Sequence, residues 1–188
     1  MPNLKEITWS LYGCYKLAIR DKDALSFFNF SASGFWASFS AVFLALFLTA
    51  IQELMKSRYF PDDTDVFQFI ILIVLAITVS WIFYLAAVGL VSKYMGFSQN
   101  YSAFIIVYNW SQLAVIAAWF ILSVLTLGLL GPDALKFVGL LFIGLTYTYL
   151  WYILVATLKV SALTAIALTI MEFSISIFIQ QTVLQMFL

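Results

Sequence analysis

Five long apolar stretches, separated by short polar breaks, leave this chain few ways to fold. A helix needs about 20 mostly apolar residues to cross the hydrocarbon core of a bilayer. Gly34–Glu53, Val66–Val91, Tyr101–Leu130, Phe137–Leu158 and Val160–Leu188 each meet that requirement. The breaks read KSRYFPDDTD, SKYMGFSQN and GPDALK, with the single Lys159 between the last two runs. The runs are continuous rather than alternating, which favours helices over a β-barrel, because backbone groups in lipid must find partners within their own segment. The expected fold is an all-α polytopic membrane helix bundle. Residues 34–188 form about five transmembrane helices, and residues 1–33 form an N-terminal amphipathic interfacial segment. No repeat with a period of roughly 20–50 residues is visible, so neither a solenoid nor an inverted-repeat transporter is indicated.

Composition agrees. Hydrophobic residues make up 64% of the chain and charged residues 10%, against about 45–50% and 25% in an ordinary soluble domain. Basic and acidic residues both number 9, so no net charge draws nucleic acid. Cys14 is the one cysteine and histidine is absent. That removes a disulfide framework, the usual zinc sets, His-ligated haem and any His-based triad. The N-terminus has no apolar signal-peptide core, so it is expected to be retained. A Walker loop, a dinucleotide fingerprint, HExxH, CxxC and paired carboxylates are all missing, so no enzyme activity, cofactor or metal is expected.

Residues 3–20 read as a helix at the membrane surface, with Asn3 as N-cap and Glu6 placed for a capping box. Leu4, Ile7, Leu11, Cys14, Tyr15 and Ala18 share one face, while Lys5, Lys16 and Arg20 point elsewhere and offer a surface to a partner or to anionic lipid. The alternative is a helix that only anchors the first span. Of the Lys and Arg residues, six fall on the side of the N-terminus (Lys5, Lys16, Arg20, Lys22, Lys93 and Lys159) and three on the other (Lys56, Arg58 and Lys136). This bias places the N-terminus in the cytoplasm and the C-terminus outside, with a bacterial inner membrane as the expected location. Trp9, Tyr59, Phe60, Tyr94 and Tyr101 fall near the expected interfaces, as an aromatic belt requires.

Glu172 is the acidic residue well inside a span, 12 uncharged residues after Lys159 and 16 before the last residue. A carboxylate at that depth must face the bundle or water, take up a proton or find a partner. Ser161, Ala165, Thr169, Glu172, Ser176 and Gln180 fall within about 100° of arc on an ideal helix. Such a stripe either lines a proton- or solute-responsive path or packs helix against helix. In the third span, Tyr101, Tyr108, Gln112, Trp119 and Ser123 share a face with Asn109 at its edge, a pattern that serves as interhelical glue or as a ligand pocket. Contact between the third and fifth spans would let Asn109 or Gln112 hydrogen-bond Glu172. The fourth span holds Tyr147, Tyr149, Trp151 and Tyr152, aromatics expected to pack against lipid and neighbouring helices.

The layout resembles the Yip1-domain group of small membrane proteins. The stretch from Asp23 to Ser31, running into Gly34–Phe39, and the Tyr108-Asn109-Trp110 motif are similar to Yip1-like bacterial proteins. The resemblance implies a non-enzymatic role in membrane organisation or protein partnering, and it carries over no functional residue. The long cytosolic N-terminal region of the eukaryotic members is absent here, which puts a GTPase-partner function in doubt. Two functions therefore compete. One is an accessory or scaffolding protein that binds membrane lipids, a membrane protein complex or a second copy of itself. The other is a small transporter or channel that uses Glu172, with Asn109 and Gln112 along the route.

Overall fold

The computed structural model describes residues 3–62 and 64–185. It contains six α-helices and, among the described residues, no strand: α1 (Leu4–Ala18), α2 (Ala32–Lys56), α3 (Val66–Met95), α4 (Tyr101–Leu129), α5 (Pro132–Leu158) and α6 (Ala162–Gln185). Helices α2 to α6 are long and apolar enough to cross a membrane, so the chain is a multi-pass membrane protein by the length and composition of its helices. Residues 186–188 of the expected last span lie outside the described residues.

Helix ends follow local chemistry, which explains where they depart from expectation. The Asn3 side chain accepts the Glu6 amide at 2.7 Å and starts α1. The Glu6 carboxylate turns instead to Asn29, accepting its amide at 3.1 Å, which joins α1 to the entrance of α2. Helix α5 begins at Pro132 rather than Phe137, because the polar break becomes its first turn, with Lys136 and Asp133 paired at 2.9 Å. Helix α2 likewise runs on to Lys56, which pairs with Glu53 one turn back. Helix α3 continues to Met95 and stops where Gly96 takes the left-handed conformation, φ 78°. The tight turn expected at Lys159 is present: this residue has φ 56°, and Asn100 caps the end of α5 by donating to the Leu158 carbonyl at 3.0 Å.

Spatial order departs from chain order at two contacts, α2 with α4 and α3 with α6. Helix α4 packs on α2 and α5, α2 on α3, α3 on α6, and α6 on α5, so the five spans close into a ring. The buried face of α2 is Gly34, Ser38, Ala41, Ala45, Thr49 and Gln52, small or slender residues that let two helix backbones approach. Helix α4 is covered most completely, with every residue from Phe104 to Ser111 buried.

Helix α1 also packs on α4, and the contact shifts the expected apolar face. Its packed seam is Ser10, Gly13, Cys14 and Leu17, whereas Leu4 and Tyr15, placed on the apolar face by periodicity, are exposed. Small side chains set this seam: a Cβ on Gly13 would lie 2.7 Å from the Phe28 ring. Cys14 Sγ lies 3.6 Å from Ser111 Oγ, and the Tyr149 hydroxyl donates to the Cys14 carbonyl at 3.0 Å. Burial pushes the Cys14 thiol up to about 12, so little thiolate is present at neutral pH. Cys14 in native membranes is therefore expected to resist a maleimide reagent. Gly13→Leu, which drives a side chain into Phe27 and Phe28 beside Cys14, should loosen this packing and raise its labelling on the same timescale.

Candidate functional site

A cavity of about 410 Å³ lies inside the ring and is lined from all five spans. Among the described residues Glu172 of α6 is the one charged residue in its wall, and Gln112, Ser176 and Gln180 share that wall. The rest is mostly apolar and aromatic, including Trp81, Tyr108, Trp119, Tyr147 and Tyr149. Largely apolar walls with a few convergent polar groups are the usual character of a small-molecule site.

Glu172 is half-buried and fixed from two helices. Its Oε1 accepts a hydrogen bond from Ser176 Oγ at 3.0 Å, one turn along α6. The Tyr147 side chain meets the same carboxyl from α5, and its ring is held edge-on against Phe173 with centroids 5.2 Å apart. Tyr84 of α3 and Tyr108 of α4, rings 5.4 Å apart, lie within electrostatic range of the carboxylate. The buried Tyr84 hydroxyl has no hydrogen-bond partner among the described residues. Among the described residues no Lys or Arg lines the cavity to balance the acid.

The expected bond from Asn109 to Glu172 is not formed. Asn109 is fully buried and committed elsewhere: its Oδ1 accepts Trp81 Nε1 at 3.2 Å, and its Nδ2 donates to Ser38 Oγ at 2.9 Å. One side chain of α4 thus ties α2 to α3, which is the structural role rather than a place on a route. Gln112 lines the cavity but meets Tyr108 rather than Glu172. Thr169 returns its hydroxyl to the Ala165 carbonyl at 2.8 Å and does not reach the cavity wall. The partner that sequence reasoning missed is Tyr147. A phenol inside a span needs a hydrogen-bond partner, but the sequence does not distinguish Tyr147 from the other tyrosines of the same span, Tyr149 and Tyr152.

The basic residues of the N-terminal segment separate into different roles. Lys16 is paired with Asp21 at 2.7 Å. Their mutual hydrogen bond holds Lys16 above and Asp21 below its ordinary range. Lys5 is exposed. Arg20, in the left-handed conformation at φ 59°, lies over the Tyr152 ring at 5.7 Å and borders a groove of about 610 Å³ between α1, α4 and α5. Among the described residues no group of three or more Cys, Asp or Glu gathers as a metal site would require. The chain matches no protein-family model, no curated protein and no solved structure.

Proposed function

We propose that this chain is a non-enzymatic membrane protein that binds a small solute in the central cavity and moves it, or a proton with it, by way of Glu172. The observation that supports this most strongly is a single carboxylate on a cavity that all five spans line. An ionisable group inside a membrane bundle is retained at a cost and marks a path or binding site. Catalysis would call for a second acid–base group beside Glu172, and the wall offers phenols, hydroxyls and amides instead. The bias of basic residues supports a cytoplasmic N-terminus and an external C-terminus in a bacterial inner membrane. Water access tests the reading. In a Cys14→Ser background, Ser176→Cys should react with a charged methanethiosulfonate from one face of the membrane. Failure to react from either face would remove the route.

A second reading, an organising or accessory protein, is favoured by α1 and its groove, and the Yip1-domain layout points the same way. Helix α1 leaves Leu4, Trp9, Tyr12, Tyr15 and Ile19 exposed, an apolar and aromatic face fit for lipid or a protein partner. Arg20 has no acidic partner among the described residues. One basic residue near an acidic membrane surface contributes about 1 kcal/mol. Arg20→Gln should therefore reduce co-purified acidic phospholipid relative to zwitterionic lipid about fivefold, as quantified by lipid mass spectrometry. An unchanged lipid profile would count against a lipid-binding role for this surface.

A further inference from the structure

We propose that the central cavity takes a monovalent organic cation, an ammonium group carried on an apolar body. The inference rests on the solute-binding reading and adds the chemical class of the solute. Among the described residues, the only formal charge in the wall is the Glu172 carboxylate, and no basic side chain lines the cavity. An anion would therefore be repelled, and the carboxyl end of a zwitterion would find no counter-charge. A positive group at the same place supplies the charge partner that the protein withholds.

The aromatic wall adds a second, independent preference. Trp81, Tyr108, Trp119, Tyr147 and Tyr149 all face the cavity, and indole and phenol rings attract cations through their faces. Tyr108 is stacked on Phe104 at 5.3 Å and tilted against Tyr84 at 5.4 Å, so it keeps its orientation.

Size and lining exclude the simplest cations. A dehydrated metal ion needs about six or more oxygens gathered around a point. The wall instead carries one carboxylate, with hydroxyl and amide groups spread over helices α3 to α6 and apolar surface from Val42, Ile77, Ile116 and Ile143 between them. A volume of about 410 Å³ matches an organic molecule with room for an alkyl or aryl body.

The test uses benzyltrimethylammonium and neopentylbenzene, which have the same shape and differ by the positive charge. The full chain is held in lipid nanodiscs, and the tryptophan fluorescence contributed by Trp81 and Trp119 reports binding. The cation should bind saturably, and the neutral isostere at least about tenfold more weakly. Glu172→Gln should weaken the cation about tenfold or more and leave the isostere unchanged. Tyr147→Phe, which keeps the ring, should retain most of the binding. If the isostere competes with equal affinity, or Glu172→Gln binds the cation as well as the native chain, the charge preference is overturned while solute binding stands. If the cation shows no saturable binding, the inference also falls, and the wider reading is then decided by labelling at Ser176→Cys.

Discussion

Glu172→Gln should lower pH-driven flux through the reconstituted protein by about 100-fold, the scale set by removing one charge from a buried polar site. The substitution is nearly isosteric, and an amide oxygen can still accept the Ser176 hydroxyl that now donates to Oε1. Folding should therefore survive, with helix content and detergent behaviour unchanged. What disappears is the one carboxyl among the described residues of the cavity wall, the group there that can carry a formal charge and exchange a proton. Flux at the native rate in a folded Glu172→Gln protein would end the transport reading.

Asn109→Leu should act in the opposite way, on stability and not directly on the cavity. The change leaves the Trp81 indole N–H without its acceptor and the Ser38 hydroxyl without its donor. It also forces a branched side chain into a fully buried position. An orphaned buried donor and an overpacked site together cost about 2–4 kcal/mol. The expected result is a clear fall in the unfolding midpoint in detergent, with flux per folded molecule much less affected than in Glu172→Gln. Gln112→Leu, at a position on the cavity wall, should be far milder in stability. If Asn109→Leu unfolds at the native midpoint, the clamp between α2, α3 and α4 contributes little.

The existence of five spans was legible because length and continuity of apolar residues are set by bilayer thickness and do not depend on tertiary contacts. Their ends were less so. Charged breaks such as GPDALK and the segment around Lys56 look like loops, yet pairs spaced three apart, Asp133 with Lys136 and Glu53 with Lys56, let the helix run through them. Helix order around the ring was not legible, because in lipid the face toward a neighbour and the face toward the bilayer are both apolar. The seam of α1 was misplaced for a related reason. Periodicity counts large apolar residues, whereas this contact is made by Ser10, Gly13 and Cys14, whose value lies in being small.

The candidate site was legible in part. Glu172, Ser176, Gln180 and Gln112 could be picked out as polar residues within apolar runs, and the fold brings all four to one cavity. Asn109 and Thr169 were equally visible, but Thr169 bonds back to its own helix, and the partners of Asn109 depend on which helices meet. Tyr147 and Tyr84 were hidden among aromatics. A tyrosine that packs against lipid and one that faces a carboxylate look alike until the neighbouring helix is known.

The central claim is that a small solute occupies the ring of five spans at Glu172. The most direct measurement is native mass spectrometry of the protein purified in mild detergent, comparing the native chain with Glu172→Gln. The expected result is a lone chain or homo-oligomer that retains a small molecule, with that molecule lost from the variant. A stoichiometric second protein, with no small molecule in the native chain, would contradict the account and make this an accessory subunit.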